Sequence, residues 1–179
     1  GGPVRLAPSY ANGKIYFGSD DGVAYCLDAK KGTLIWKVEA SKSKKLIPGN
    51  ERIISTSAIR TGVLVDNGVA YFCAGMFPNE GVELYAVNAN NGNIIWKETN
   101  LQISPQGYML ASKTNLYIPT GRTRPKIYSR KDGSRIGDFN AGNGGTYALL
   151  VDDEIIFGAG DEGGLNNYPA CNANEDDEI

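Results

Sequence analysis

The sequence predicts an all-β chain, built as a β-propeller of four-stranded antiparallel blades. Two 15-residue segments match at an offset of 60 residues, and aromatic residues recur at strand-like positions separated by 55, 46 and 40 residues. A four-stranded antiparallel unit that repeats at roughly 40 to 50 residues is typical of a propeller blade. No segment shows sustained helical periodicity. The chain is therefore expected to hold about three and a half blades of a larger ring.

Each predicted blade opens with a short apolar strand that a tight turn joins to a second, aromatic strand. Asn12-Gly13 and Asn67-Gly68 mark this turn in the first two blades, because both central residues of a type I′ turn need positive φ. The opening strands are expected in the apolar runs 4–7, 63–65, 109–111 and 147–151. The second strands carry the aligned aromatic residues Tyr16, Tyr71, Tyr117 and Phe157.

The outer half of each blade is predicted from the two matching segments, 23–37 and 83–97. A turn with positive φ is expected at the glycine of each segment, and a side-chain oxygen four residues earlier can accept hydrogen bonds from the turn amides. The tryptophan near the end of each segment is expected to cover the seam between neighbouring blades. The predicted structural residues are Asp28, Gly32 and Trp36 in the first copy and Asn88, Gly92 and Trp96 in the second.

Blade boundaries follow from this register. They are about 4–40 for blade 1, 61–100 for blade 2, 106–140 for blade 3 and 146–179 for a partial blade 4. A polar insertion of about 41–60 explains the longer first interval. In a degenerate third copy, Gly137 stands where the first two copies have tryptophan, so that seam is predicted to lack a docking ring.

Composition excludes several classes of function. The chain has no histidine, so this segment cannot hold a Ser-His-Asp triad or a His-ligated zinc site. Its net charge of −2 argues against a nucleic-acid partner, and it has no apolar run long enough to span a membrane. Cys26 and Cys73 lie in apolar strand runs and are predicted to be buried free thiols.

The two matching segments resemble the eleven-residue tryptophan-docking motif of pyrroloquinoline-quinone (PQQ) repeats, Ala-x-Asp-x-x-x-Gly-x-x-x-Trp. That family includes quinoprotein alcohol dehydrogenases and the outer-membrane assembly lipoprotein BamB. The resemblance extends over most of residues 1–160 and implies a propeller of which further blades are missing here. It also implies a bacterial, periplasmic or otherwise extracytoplasmic location.

The resemblance carries over no catalytic, cofactor-binding or metal-binding residue. The quinone-dependent members often have adjacent cysteines near the cofactor and acidic calcium ligands, whereas this chain has no Cys-Cys pair. No cofactor is therefore predicted in this segment, and PQQ and calcium are expected only if the whole protein is a dehydrogenase.

Candidate ligand-facing residues stand at the ends of predicted strands of blade 3. Polar groups at strand ends of a propeller often face the axial funnel, where ligands bind. The candidates are Gln106, Tyr108 and Arg122. A loop capped by its own hydrogen bonds is the alternative interpretation.

Three functions remain open. The first is a non-catalytic extracytoplasmic scaffold for binding or assembly, with a protein partner or a small ligand at the blade loops or the axial funnel. The second is part of a PQQ-dependent dehydrogenase that oxidises an alcohol or a sugar. The third is a sensor propeller of a larger signalling protein. Polar loops on a rigid β scaffold are compatible with all three functions, because the fold alone does not determine the function.

Overall fold

The computed structural model describes residues 2–40, 45–49, 52–121 and 123–139, and the backbone of segments 147–151, 154–159, 166–167 and 171–172. The chain divides into two compact units, residues 1–105 and 106–179, each with its own sheets. Regular structure in the described part is all β, apart from one 3₁₀ turn at Pro78–Glu80. The predicted antiparallel four-stranded sheets are confirmed.

The first unit contains two sheets, with a hairpin between them in sequence. The first sheet consists of β1 (Ser9–Ala11), β2 (Lys14–Gly18), β3 (Val23–Asp28) and β4 (Leu34–Glu39). The hairpin consists of β5 (Leu46–Gly49) and β6 (Arg52–Ser55). The second sheet consists of β7 (Leu64–Asp66), β8 (Val69–Ala74), β9 (Glu83–Asn88) and β10 (Ile94–Glu98). Each strand pairs with its neighbour in sequence, so both sheets are simple meanders.

The second unit contains two further sheets. The third sheet of the chain is again a meander, of β11 (Leu110–Ala111), β12 (Asn115–Ile118), β13 (Lys126–Ser129) and β14 (Arg135–Asp138). The fourth consists of β15 (Tyr147–Val151), β16 (Glu154–Ala159), β17 (Asn166–Asn167) and β18 (Cys171–Asn172). In it β17 and β18 both pair with β16, so its outer half departs from the meander of the other sheets.

The prediction for the first strand is wrong in position. The sequence places it at residues 4–7, but β1 is Ser9–Ala11. The reason is the two-residue turn at Asn12 and Gly13, both with positive φ, which pairs Ala11 directly with Lys14 and so fixes the strand immediately before the turn. The segment before β1 contacts the β2–β3 turn instead, where the Pro3 carbonyl accepts a hydrogen bond from the Asp20 amide.

The outer strands of the first three sheets share a β-bulge that the sequence does not reveal. Pairing shifts by one residue between Leu34 and Trp36, between Ile94 and Trp96, and between Arg135 and Gly137. The extra residue is an isoleucine each time, and Ile35, Ile95 and Ile136 are 40%, 53% and 55% exposed. A bulge twists an edge strand and so disfavours pairing with another chain. The edges are thus protected, while an apolar side chain is left at the surface of each.

The core of the first unit lies between its two sheets. Buried residues of the first sheet, including Tyr16 and Trp36, form one cluster with residues of the second, including Phe72, Tyr85 and Val87. The prediction that Cys26 and Cys73 are buried free thiols is confirmed. Close packing between two sheets makes the loops at their ends a rigid platform for polar side chains.

Candidate functional site

Trp36 joins the first two sheets through both its ring and its indole nitrogen. Its Nε1 donates a hydrogen bond of 3.0 Å to the Ala89 carbonyl in the β9–β10 turn, and the Tyr16 hydroxyl donates to the same oxygen at 3.1 Å. The side chain is only 6% exposed. Both donor residues belong to the first sheet, and their shared acceptor belongs to the second. This contact therefore fixes how the two sheets pack.

The turn that receives Trp36 is shaped by hydrogen bonds that recur in each repeat. The Asn88 Oδ1 accepts from the amides of Asn90 and Asn91 at 2.8 and 3.3 Å. The Asp28 carboxylate accepts from Lys30 and Lys31 in the same way, at 3.0 and 2.7 Å. In the third sheet Ser129 takes this position and accepts from the Lys131 amide. A side-chain acceptor thus fixes this turn in each of the first three sheets.

Trp96 occupies the corresponding place in the second sheet but is half-buried, with its ring centroid 6.0 Å from that of Tyr71. Gly32 and Gly92 both adopt positive φ, 67° and 74°. They differ in surroundings: a Cβ on Gly32 would meet nothing within 4 Å, whereas one on Gly92 would lie 3.0 Å from two ring atoms of Trp36.

This difference supports a paired prediction. Both Gly32→Ala and Gly92→Ala force an L-residue into the left-handed region, which costs about 1–2 kcal/mol. We expect Gly92→Ala to lower the free energy of unfolding by a further ~1–3 kcal/mol, because its methyl overpacks the indole. Urea denaturation followed by circular dichroism measures both. Equal losses in the two variants would contradict a close contact between Gly92 and Trp36.

A cluster of charges lies at the β2–β3 turn, at the other end of the first sheet from the β3–β4 turn. Asp20 is fully buried, and its two carboxylate oxygens lie 2.8 Å from Arg5 Nε and 2.9 Å from Arg60 Nε. Its backbone is fixed as well, because its amide donates to Pro3 and its carbonyl accepts from Ser55. Asp20 therefore joins the segment before β1 to the segment that returns from the hairpin.

The two arginines occupy equivalent positions in successive repeats. Arg5 stands four residues before β1 and Arg60 four residues before β7, and Gln106 stands four residues before β11. The offset of 55 residues that aligns Tyr16 with Tyr71 also aligns Arg5 with Arg60. Sequence reasoning missed this pair, although that register alone could have found it.

A small polar pocket in the same unit is lined in part by Ser57, Glu80, Glu83 and Asn100. Its carboxylates are already engaged. Glu80 is paired with Lys45 at 2.6 Å. Glu83 is paired with Lys97 at 2.9 Å and accepts a hydrogen bond from the Tyr85 hydroxyl. These pairs leave the pocket without an uncompensated charge that would attract an ion.

The predicted ligand-facing residues belong to the second unit. Gln106 and Tyr108 are exposed, and the Gln106 side chain lies against Gly121, with Oε1 3.6 Å from where a Cβ would stand. The Gln106 amide donates to the Pro119 carbonyl at 2.9 Å. Arg122 lies outside the described residues. The described geometry therefore places Gln106 and Tyr108 at the surface, and their role in binding a ligand stays a prediction.

Burial favours the neutral forms of two tyrosine hydroxyls and two cysteine thiols in the first unit. Burial, with a further contribution from Cys26, raises the pKa of Tyr16 to about 12. Burial, then the hydrogen bond to Asp21, raises the pKa of Tyr25 to about 12. Burial also raises the pKa of both buried thiols, Cys26 and Cys73. Neither thiol is therefore a nucleophile near neutral pH, since the thiolate is the reactive form.

The acidic and cysteine side chains of the described residues are dispersed or already paired. No three acidic, cysteine or histidine side chains come together there as metal ligands require. The buried carboxylate of Asp20 is already paired with two arginines, and the chain has no adjacent cysteines. No helix in the described part of the chain is long and apolar enough to cross a membrane.

Comparison with known proteins gives one family match and several partial relatives. Residues 1–146 match the family described as outer membrane protein assembly factor BamB. The dehydrogenase subunit of a quinone alcohol dehydrogenase from Gluconobacter oxydans is 36% identical over 98 residues, which cover 52% of this chain and 12% of that relative. The chain thus corresponds to a small part of the length of the curated relatives it matches.

Solved structures share the fold at low sequence identity. The computationally designed Ika4 protein matches with a TM-score of 0.67 and 14% identity, covering 93% of this chain and 91% of that one. The crystal structure of BamB from Moraxella catarrhalis matches with a TM-score of 0.57 and 13% identity, covering 86% of this chain and 45% of that one. Together with the four antiparallel sheets, these matches confirm the predicted fold class, a partial β-propeller.

Proposed function

The chain belongs to the PQQ-repeat family described as outer membrane protein assembly factor BamB, and from this premise we propose that it is a non-catalytic binding scaffold. It acts outside the cytoplasm of a bacterium, in the periplasm, and binds a partner protein. Membership alone does not separate a scaffold from an enzyme, because PQQ repeats serve both. The proposal therefore rests on what the described surface offers.

The observation that carries the proposal is the exposed, bulged isoleucine that recurs in the outer strand of each of the first three sheets. Ile35, Ile95 and Ile136 are exposed at the same position of three successive repeats. In the first two repeats the preceding residue, Leu34 or Ile94, is more than half exposed as well. Single exposed apolar residues are ordinary, but a pair that recurs in register suits a protein partner that contacts several repeats.

The carboxylates of the described strand ends support a binding role over a catalytic one. General acid–base chemistry needs a titratable group placed to exchange a proton with a substrate. Asp20 and Glu83 are both paired with basic side chains inside the chain. Asp138 is likewise paired with Lys126 and Arg135, at 2.6 and 2.5 Å. These ion pairs join segments of the blades to one another.

Site-specific photocrosslinking tests the partner surface. A photoreactive amino acid at Ile35 or Ile95 of the full-length protein is expected to give a discrete protein adduct in cells. Lys113 is an exposed polar residue before β12 and serves as the matched control. A similar adduct pattern at all three positions, or none at the isoleucines, would contradict the proposed surface.

The second candidate is a subunit of a quinone-dependent alcohol dehydrogenase. The observation that favours it is the 36% identity to the Gluconobacter oxydans dehydrogenase subunit. Under this alternative the whole protein binds PQQ and calcium outside the described residues. The full-length protein, reconstituted with both, is assayed for dye-linked alcohol oxidation. Dye reduction that depends on PQQ and on calcium would overturn the scaffold proposal.

A further inference from the structure

We propose that Arg5 and Arg60 form a binding site for a small oxyanion, a carboxylate or a phosphate-type group, at the β2–β3 turn of the first sheet. The inference is independent of the proposed scaffold function, because the site lies at the strand ends and not on the bulged outer strands.

At the contact around Asp20, two arginines share a single carboxylate. Two guanidinium groups flank one carboxylate, and that carboxylate is fully buried while the arginine side chains are 31% and 20% exposed. The neighbouring acid, Asp21, is negatively charged as well, but its oxygens accept hydrogen bonds from the Val23 amide and the Tyr25 hydroxyl and not from either arginine. Two half-buried guanidinium groups that share one carboxylate favour a bound anion, since partial burial weakens their hydration and their screening by salt.

The donors of the two arginines are largely unused within the protein. A guanidinium has five N–H donors in a rigid fork. Arg5 uses Nε for Asp20, and Arg60 Nε lies at ion-pair distance from Asp20 without a hydrogen bond formed. Within the described part of the chain, neither arginine has any other polar contact. The terminal nitrogens of both are therefore available to a planar or tetrahedral oxyanion, which matches the fork geometry.

The fold also fixes both arginines in place before any ligand binds. Each stands four residues before the opening strand of its sheet, and these strands, β1 and β7, lie against each other. The Ser9 hydroxyl of β1 donates to the Val63 carbonyl just before β7. The Asp20 carboxylate oxygens lie 2.8 and 2.9 Å from the Nε atoms of Arg5 and Arg60, which limits the motion of both side chains, so little side-chain freedom is lost on binding. An acid at this turn is particular to the first sheet, because Gly75 and Gly121 take the place of Asp20 in the next two.

The test is calorimetric titration of the purified chain at low ionic strength, with inorganic phosphate in one arm and succinate in the other. We expect saturable binding of one ion per chain to at least one of them. Binding of phosphate alone identifies a tetrahedral oxyanion, and binding of succinate alone identifies a carboxylate. Failure of both to bind overturns the inference, whatever the crosslinking experiment shows.

Variants locate the site. Arg5→Gln and Arg60→Lys are each expected to weaken binding roughly tenfold, because each removes charge-assisted or bidentate hydrogen bonds. Arg52→Gln is the matched control: Arg52 is exposed on the hairpin strand β6, and its loss is expected to change affinity less than about twofold. An equal loss in Arg52→Gln, or no loss in both site variants, would refute the site.

Folding of the variants does not limit the test. Phosphate titration of the unchanged chain, followed by amide chemical shifts, needs no substitution. The largest shifts are expected at Asp20, Asp21 and Gly22, whose backbone forms the turn between the arginines. Shifts that are spread evenly over surface lysines would instead indicate non-specific ion association and would overturn the proposal.

Discussion

Trp36→Ala is expected to lower the free energy of unfolding of the first unit by about 3–5 kcal/mol, the range of buried Trp→Ala changes. The indole is nearly fully buried between the two sheets and stacks at a tilt on Tyr16, with ring centroids 5.9 Å apart. Its loss also removes one of the two donors to the Ala89 carbonyl. The measurement is urea denaturation followed by far-ultraviolet circular dichroism, which does not depend on the lost fluorophore.

Two further variants separate the contribution of the Trp36 ring from that of its N–H group, and the contribution of Trp36 from that of the equivalent Trp96. Trp36→Phe keeps an aromatic ring but removes the hydrogen bond, so a loss of only ~1–2 kcal/mol is expected. Trp96→Ala removes the equivalent indole, which is only half-buried, and is expected to cost less than Trp36→Ala, because less apolar area returns to water. A larger loss for Trp96→Ala would show that Trp36 is not the main junction of the first two sheets.

The second large effect is expected from Asp20→Ala, at about 3 kcal/mol. Removing one partner of a buried ion pair leaves charge without compensation, and such losses reach roughly 3–5 kcal/mol. The lower end applies here, because Arg5 and Arg60 keep some exposure to water. The two guanidinium groups also repel each other once the carboxylate between them is gone. The observable is the urea midpoint of unfolding at neutral pH.

Glu39→Ala provides the control for Asp20→Ala. Glu39 is paired with Lys37, and both side chains are more than half exposed, so the pair is screened by solvent and salt. Its removal is expected to leave the unfolding midpoint within experimental error. If the urea midpoint of Asp20→Ala is as high as that of Glu39→Ala, the Asp20 cluster does not stabilise the fold.

The repeat elements were predictable because their signals are local. At Asn12-Gly13 two neighbouring residues with positive φ select the turn, and that turn sets the pairing of β1 with β2. The side-chain acceptors Asp28 and Asn88 lie only two or three residues from the amides they bind. Apolar runs such as Val4 to Ala7 were less reliable, because they show hydrophobicity without showing register.

The candidate site was mostly not predictable. Gln106 and Tyr108 were expected to face a ligand; both lie at the surface, and the expectation stays a prediction. The charged cluster of Arg5, Asp20 and Arg60 joins residues 15 and 40 positions apart in the chain. Sequence patterns of period two indicate which face of a strand is apolar, but they do not indicate which loops contact each other in the folded chain.

The sequence alone determined the repeat, the four-stranded meanders and the family. Glycine turns, alternating strands and spaced tryptophans are local signals, and each can be recognised within a short segment. Only the tertiary structure decided that Trp36 reaches Ala89 and that two arginines share Asp20. These contacts depend on how one sheet packs on the next. That packing follows from burial summed over many side chains, and no single stretch of sequence carries it.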